Sequence, residues 1–151
     1  MAVSGGTDSM AALDFIKKNR DVTVLHYNHG TGLYADQAEN LVRKYCTQNQ
    51  IKCAIGYNEE EIPKGVSNEA WWRDKRYNWF DQVTDLPIIT AHHLDDVAET
   101  WLFTSLHGTP RLIPSVRGKY RRPFLTTRKS VFEGWCEKHG VPYIEDPSNK
   151  N

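Results

Sequence analysis

Met1-Ala2-Val3-Ser4-Gly5-Gly6-Thr7-Asp8-Ser9 sets a short apolar run against a small-residue loop and the start of a helical pattern. A glycine-rich turn between a strand end and a helix start gathers free backbone N–H groups and the positive end of a helix dipole, which together attract an anion. Gly5 and Gly6 let the backbone approach closely, while Thr7 continues the loop and Ser4 and Ser9 add hydroxyl donors. Asp8 repels phosphate unless it binds Mg²⁺ or caps the helix, which makes it the candidate metal ligand. The loop has no Gly-Lys-Ser/Thr ending, so it is not a Walker loop. A plain glycine turn with an Asp or Ser N-cap is the competing reading.

Outward from this loop, short β-branched runs alternate with helical periodicity. That pattern predicts an α/β fold, an open parallel sheet of about five strands with helices on both faces. Met1 to Val3 is a first strand stub, and residues 8–18 form a helix with Ala12, Phe15 and Ile16 on one side. Strands follow at 22–27, 52–57 and 87–91, with helices at 35–48, 67–82, 95–106 and 127–139. Ser67 is the expected N-cap of the third helix, and Gly140 stops the last one. In that last helix Val131, Phe132, Trp135 and Cys136 are expected to face inward, and 142–145 to add an edge strand. Residues 108–122, rich in Gly, Pro and Arg, read as a long loop or small hairpin.

A chain of 151 residues fits one domain. With 39% hydrophobic and 25% charged residues it is neither disordered nor a membrane chain by composition, and a cytoplasmic location is expected. Cys46, Cys53 and Cys136 have no Cys-x-x-Cys spacing and read as reduced and structural. The 19 basic residues balance the 19 acidic ones, so any nucleic-acid partner must meet a local patch. Arg111, Arg117, Lys119, Arg121, Arg122 and Arg128, interleaved with Tyr120 and Phe124, are the candidate patch, with a solvated loop as the alternative.

His92 and His93 stand at the carboxyl end of the fourth expected strand, on the same rim as the glycine loop. Asp95, Asp96 and Glu99 open the following helix within one turn. Such crowded carboxylates call for Mg²⁺ or a substrate ammonium. Helix capping plus an acidic face, or a zinc site shared by His92 and Asp96, are the alternatives. Arg73 and Arg76 lie three apart on a helix among Trp71, Trp72, Tyr77, Trp79 and Phe80. Taken alone they read as solvated surface beside core aromatics.

Ser4-Gly5-Gly6-Thr7-Asp8-Ser9 after a strand resembles the pyrophosphate loop of the N-type ATP pyrophosphatases, which cleave ATP to AMP and pyrophosphate. His26-Tyr27-Asn28-His29-Gly30, Arg73-x-x-Arg76-Tyr77 and Thr90-Ala91-His92-His93-Leu94-Asp95-Asp96-x-x-Glu99-Thr100 follow in order. Arg122-Pro123-Phe124-Leu125 and Glu145-Asp146-Pro147-Ser148-Asn149 complete a set of six motifs that resembles the tRNA(Ile)-lysidine synthase family. The resemblance implies ATP and Mg²⁺ as cofactors, with Ser4 to Ser9, Asn28 and Arg76 around the nucleotide. It implies Asp8, Arg73, His92 and Asp95 as catalytic residues and His93, Asp96, Glu99 and Arg122 as substrate contacts. The expected partners are isoleucine tRNA with a CAU anticodon and free lysine. The family's C-terminal tRNA-binding domains are not in this sequence, so a homodimer or helper protein is expected to aid RNA recognition. A tRNA thiolase and a noncatalytic nucleotide-binding module are the competing functions.

Overall fold

The structure, a computed structural model, describes residues 1–145; Asp146 to Asn149 of the last motif lie outside the described residues. The order is α1 (Thr7–Lys17), β1 (Thr23–Asn28), α2 (Leu33–Gln48), β2 (Lys52–Tyr57), α3 (Asn68–Val83), β3 (Ile88–Ile89), α4 (Leu94–Leu106), β4 (Val116–Arg117), β5 (Tyr120–Arg121) and α5 (Lys129–His139). β1 pairs with β2 in parallel, β3 with β5 in parallel, and β4 runs antiparallel to β5 at the edge.

The N-terminal stub joins the two ribbons. Leu25 N–H donates to Met1 O at 2.8 Å, Val3 N–H to Leu25 O at 3.0 Å and Ala2 N–H to Ile89 O at 2.9 Å. Three residues thus bridge β1 to β3. Consecutive β1 side chains point to opposite faces, as a strand requires. Val24 packs with Met10, Leu13, Val42, Phe132 and Cys136 on one face, and Leu25 with Phe80, Ile88 and Tyr120 on the other. Both faces of β1 are therefore covered by helices, the condition under which parallel strands are stable.

The expected strand at 142–145 is absent, although Ile144 N–H donates to Gly5 O at 3.0 Å and so pins that segment to the phosphate loop. Parallel pairing comes instead from the arginine-rich loop. Its hairpin turns at Gly118, φ 55°, and Ile88 N–H and Thr90 N–H donate to Lys119 O and Arg121 O, both at 2.9 Å. Two-residue strands carry no periodicity, which hid this pairing from the sequence pattern. Phe15 and Val131 are also more exposed than expected, at 51% and 55%. Phe15 still meets Trp135 edge-on at 5.4 Å.

Asp14 ties three helices together from inside this face. Tyr45 OH donates to its Oδ1 at 2.7 Å and Trp135 Nε1–H to its Oδ2 at 2.9 Å, while Lys17 Nζ lies 2.9 Å away. These donors hold the carboxyl below its usual range against the opposing effect of burial. Gly56 in β2 marks a close approach, because a Cβ there would stand 2.5 Å from the Trp79 ring.

Candidate active site

A cavity of about 530 Å³ opens where the stub, β1 and β3 end. Parallel sheets place free loop backbone at this rim. Ser4, Gly6, Asp8 and Ser9 line it together with Tyr27, His29, Trp72 and Tyr77. The loop is tightly knit: Ser4 N–H donates to Ser9 Oγ at 3.1 Å, Ser9 Oγ–H to Gly6 O at 3.0 Å, and Gly6 N–H to Ser4 Oγ at 3.3 Å. Gly5, at φ 94°, adopts a conformation that side chains disfavour, and a Cβ there would press on Ala38 Cβ at 3.3 Å. Thr7 begins α1, and no side chain caps that helix at Gly6. Its first N–H groups remain for an anion.

Asp8 faces the cavity with a buried Oδ1 that has no hydrogen-bond partner among the described residues. Burial raises its pKa, with the charges of His93 and Lys129 opposing. An unpartnered carboxylate oxygen beside a phosphate loop fits a Mg²⁺ held by one carboxylate and by phosphate oxygens. Among the described residues no group of three or more His, Cys, Asp or Glu side chains is arranged to hold a metal.

His93 is buried and packs within 5.9 Å of the Phe132 ring. Its Nε2 lies 3.5 Å from Asp8 Oδ2, and its Nδ1 lies 3.5 Å from Asp96 Oδ2 and 3.6 Å from Asp95 Oδ2. Its backbone N–H donates to Asp96 Oδ2 at 2.7 Å, which closes the first turn of α4. His93 thus stands between the phosphate loop and the acidic start of α4. His92 lines the cavity with Nδ1 2.8 Å from Thr90 Oγ1. Burial lowers its pKa, the charge of Asp96 opposes this, and the charges of Arg122, Arg73 and Arg76 add to it. The imidazole is therefore neutral near pH 7.

The remaining sequence candidates divide. Arg76 and Asp96 reach the cavity wall. Burial lowers the Arg76 pKa, and its guanidinium carbon lies 5.8 Å from the centre of the Tyr77 ring. Arg73 is exposed over the same ring at 5.0 Å and does not line the wall. Asp95 is exposed, and its Oδ2 accepts Lys129 N–H at 2.9 Å, capping α5. Glu99 is exposed and off the wall. Arg122 is buried, also off the wall, with Nη1–H donating to Pro114 O at 2.7 Å. Asn28 lines the cavity, but its amide is occupied: Nδ2 donates to Glu39 Oε2 at 2.8 Å and Asp36 Oδ1 at 3.2 Å, and Oδ1 accepts Gly30 N–H at 2.8 Å.

The sequence reading left Trp72 and Tyr77 among the core aromatics, yet both face the cavity. His29, beside Trp72 at 5.9 Å between ring centres, is held by burial at a pKa of about 4. Its position immediately after β1, at the rim, was the signal available for it.

Comparison with known proteins agrees with this geometry. The chain matches the PP-loop domain family over residues 1–151. It is 32% identical over 172 residues to tRNA(Ile)-lysidine synthase of Staphylococcus aureus (strain COL), covering 100% of this chain and 39% of that protein. The corresponding protein of Vibrio cholerae is 28% identical over 164 residues, covering 99% of this chain and 37% of that one. This chain thus spans about two fifths of the length of these relatives. The U34-tRNA thiolase NcsA from Methanococcus maripaludis, solved with its [4Fe-4S] cluster, superposes with a TM-score of 0.78 at 18% identity, over 97% of this chain and 58% of that one. A small-residue loop at the rim of a parallel sheet, matched along every residue of the sequence, places this chain in the PP-loop domain family.

Proposed function

We propose that this chain ligates lysine to the cytidine at position 34 of an isoleucine tRNA with a CAU anticodon, through an adenylated base, with release of AMP and pyrophosphate. Residues 1–151 act as one catalytic domain in this reading. The observation that carries it is the convergence of Ser4, Gly6, Asp8 and Ser9 with Arg76, His92 and Asp96 around one cavity, in a chain similar throughout to lysidine synthases.

The N–H groups at the start of α1 and the Ser4 and Ser9 hydroxyls hold the pyrophosphate of ATP. The Asp8 carboxylate would hold Mg²⁺, and the ion would neutralise phosphate charge. Arg76 offers its cation to the α-phosphate as the cytidine carbonyl oxygen bonds to phosphorus and pyrophosphate leaves. The lysine amine then bonds to the activated carbon and AMP leaves. His92 takes the proton this releases, being neutral and inside the cavity, whereas the Asp95 carboxylate is occupied at α5. Arg73, outside the wall, steadies incoming RNA phosphates, and Glu99 and Asp96 draw the lysine ammonium toward α4. The arginines of β4 and β5 lie on the hairpin beside this rim and supply the RNA patch. No described helix is long and apolar enough to cross a membrane.

The test incubates the protein with ATP, Mg²⁺ and radiolabelled lysine, with and without the tRNA. Label in the tRNA together with AMP is the expected result. AMP release without label transfer refutes lysidine synthesis and keeps the ATP pyrophosphatase. A thiolase reading gains its fold from the Methanococcus neighbour, but none of the three cysteines lines the cavity.

A further inference from the structure

α4 turns its apolar side to solvent. None of its residues is buried, and the half-buried ones are Asp96, Val97, Thr100, Thr104 and Ser105, of which only Val97 is apolar. Leu94, Ala98, Leu102 and Leu106, all exposed, recur every fourth residue and so form one continuous ridge along the helix. Trp101 and Phe103 flank this ridge, and Arg111 N–H, donating to Thr104 Oγ1 at 2.9 Å, carries Leu112 back beside the helix. The six large side chains, Ala98 left aside, are between 39% and 77% exposed, which at roughly 170 Å² for a full side chain amounts to about 600 Å² of apolar surface. A standard protein interface takes about 800 Å² from each partner, of which about 500 Å² is apolar, so this face has the size of one such half. An amphipathic helix buries its apolar stripe against a neighbour, and here no described residue covers it.

We propose that α4 is the interface of a two-fold dimer, each copy laying its leucine ridge across that of the other. The ridge is centred between Ala98 and Leu102. A two-fold axis there runs the two helices antiparallel and sets Ala98 against the partner's Leu102 and Leu102 against the partner's Ala98, a small residue meeting a large one. Ridges of this four-residue spacing interdigitate at a crossing angle of about −50°, the commonest helix packing. The same orientation directs the acidic first turn of α4, with Asp95 and Glu99 beside it, toward the partner's His107 and Arg111, so charge as well as shape is self-complementary. RNA suits this face less, because leucines offer neither hydrogen bonds nor stacking surfaces and the carboxylates repel phosphate. Asp96 of that turn lines the cavity, so dimerisation brings the partner's basic end toward the rim of the site. The dimer is independent of the nucleotide reading.

Sedimentation equilibrium of the whole chain without nucleotide or RNA, at about 10 µM, tests it. The wild type is expected at twice the 17.4 kDa of one chain. Leu102→Glu, at a side chain exposed in the single copy, is expected at 17.4 kDa with unchanged far-UV circular dichroism. If Leu102→Glu does not fold, Ala98→Glu on the same ridge is expected to give the monomer. Glu99→Arg is expected to weaken the dimer about five-fold, the contact occurring twice in a two-fold pair, and Glu99→Arg combined with Arg111→Glu to restore it. A swap that fails to restore the dimer overturns the antiparallel arrangement. A monomeric wild type overturns the inference, as does a dimer that persists in folded Leu102→Glu and Ala98→Glu. A monomer whose affinity for tRNA falls in Leu102→Glu gives the face to RNA and overturns it too.

Discussion

Replacing Asp14 with alanine removes a carboxylate that binds α1, α2 and α5 together, and the cost follows from its contacts. Tyr45 OH at 2.7 Å and Trp135 Nε1 at 2.9 Å both lose their acceptor. Tyr45 is only 5% exposed, so its hydroxyl is left dry and unsatisfied, at about 1–3 kcal/mol. The partly buried indole N–H adds about 1 kcal/mol, being open to some water, and the Lys17 pair adds up to about 1 kcal/mol. The sum is about 2–5 kcal/mol. With a urea m-value of about 2 kcal/mol/M, the midpoint moves down by about 1–2.5 M. Urea unfolding followed by tryptophan fluorescence measures this. Tyr45→Phe, which removes one donor and leaves the carboxylate its other partners, is expected to shift the midpoint by about 0.5 M. A shift below about 0.5 M for Asp14→Ala refutes the argument. The folded pKa of Asp14 is depressed, so its contribution is present above the unfolded value of 3.8 and is lost as pH falls through the folded value. The difference between wild type and Asp14→Asn should therefore shrink below pH 3.8, and a constant gap contradicts it.

Asp8→Ala removes the buried oxygen that faces the phosphate loop and is expected to abolish AMP release while far-UV circular dichroism is unchanged; retained turnover sinks the metal role. The lowered pKa of His92 puts the acid limb of kcat/KM below 6.5, because a base must be neutral and is lost on protonation as pH falls. A limb above 6.5, or one that persists in His92→Asn, rejects His92 as the base. Arg76→Ala is expected to weaken ATP binding by ten-fold or more, and Arg73→Ala by less than three-fold, since only the first faces the cavity. Calorimetry giving the reverse order refutes the placement. Gly56→Ala sets a Cβ against the Trp79 ring at 2.5 Å and should destabilise by about 1–3 kcal/mol in urea unfolding, so a neutral result shows that the ring yields.

Much of this protein is legible in the residues themselves. Ser4 to Ser9 announced the phosphate loop because two glycines between an apolar run and a helical pattern are a local signal, and β2 emerged at residues 52–57 as its alternation predicts. Such features depend on neighbours along the chain, through propensity, periodicity and backbone freedom. What escaped depends on neighbours in space. Met1 to Val3 was legible as a strand stub, but not that it would bridge two ribbons, and the small hairpin read in the arginine-rich loop gave no sign that its two-residue strand would pair with β3, since hydrogen bonds to distant strands compensate for segments too short to show a period. The same holds at the site. Asp95 and Asp96 are adjacent in sequence, yet one caps α5 and the other meets the cavity, because consecutive helical residues differ by about 100° and face different surroundings. Asn28 is consumed by Asp36, Glu39 and Gly30, while Arg76 reaches the cavity wall. The chain order specified which polar groups are present; which of them remain free for a ligand was decided by packing, since a hydrogen bond satisfied inside the protein is no longer available outside it.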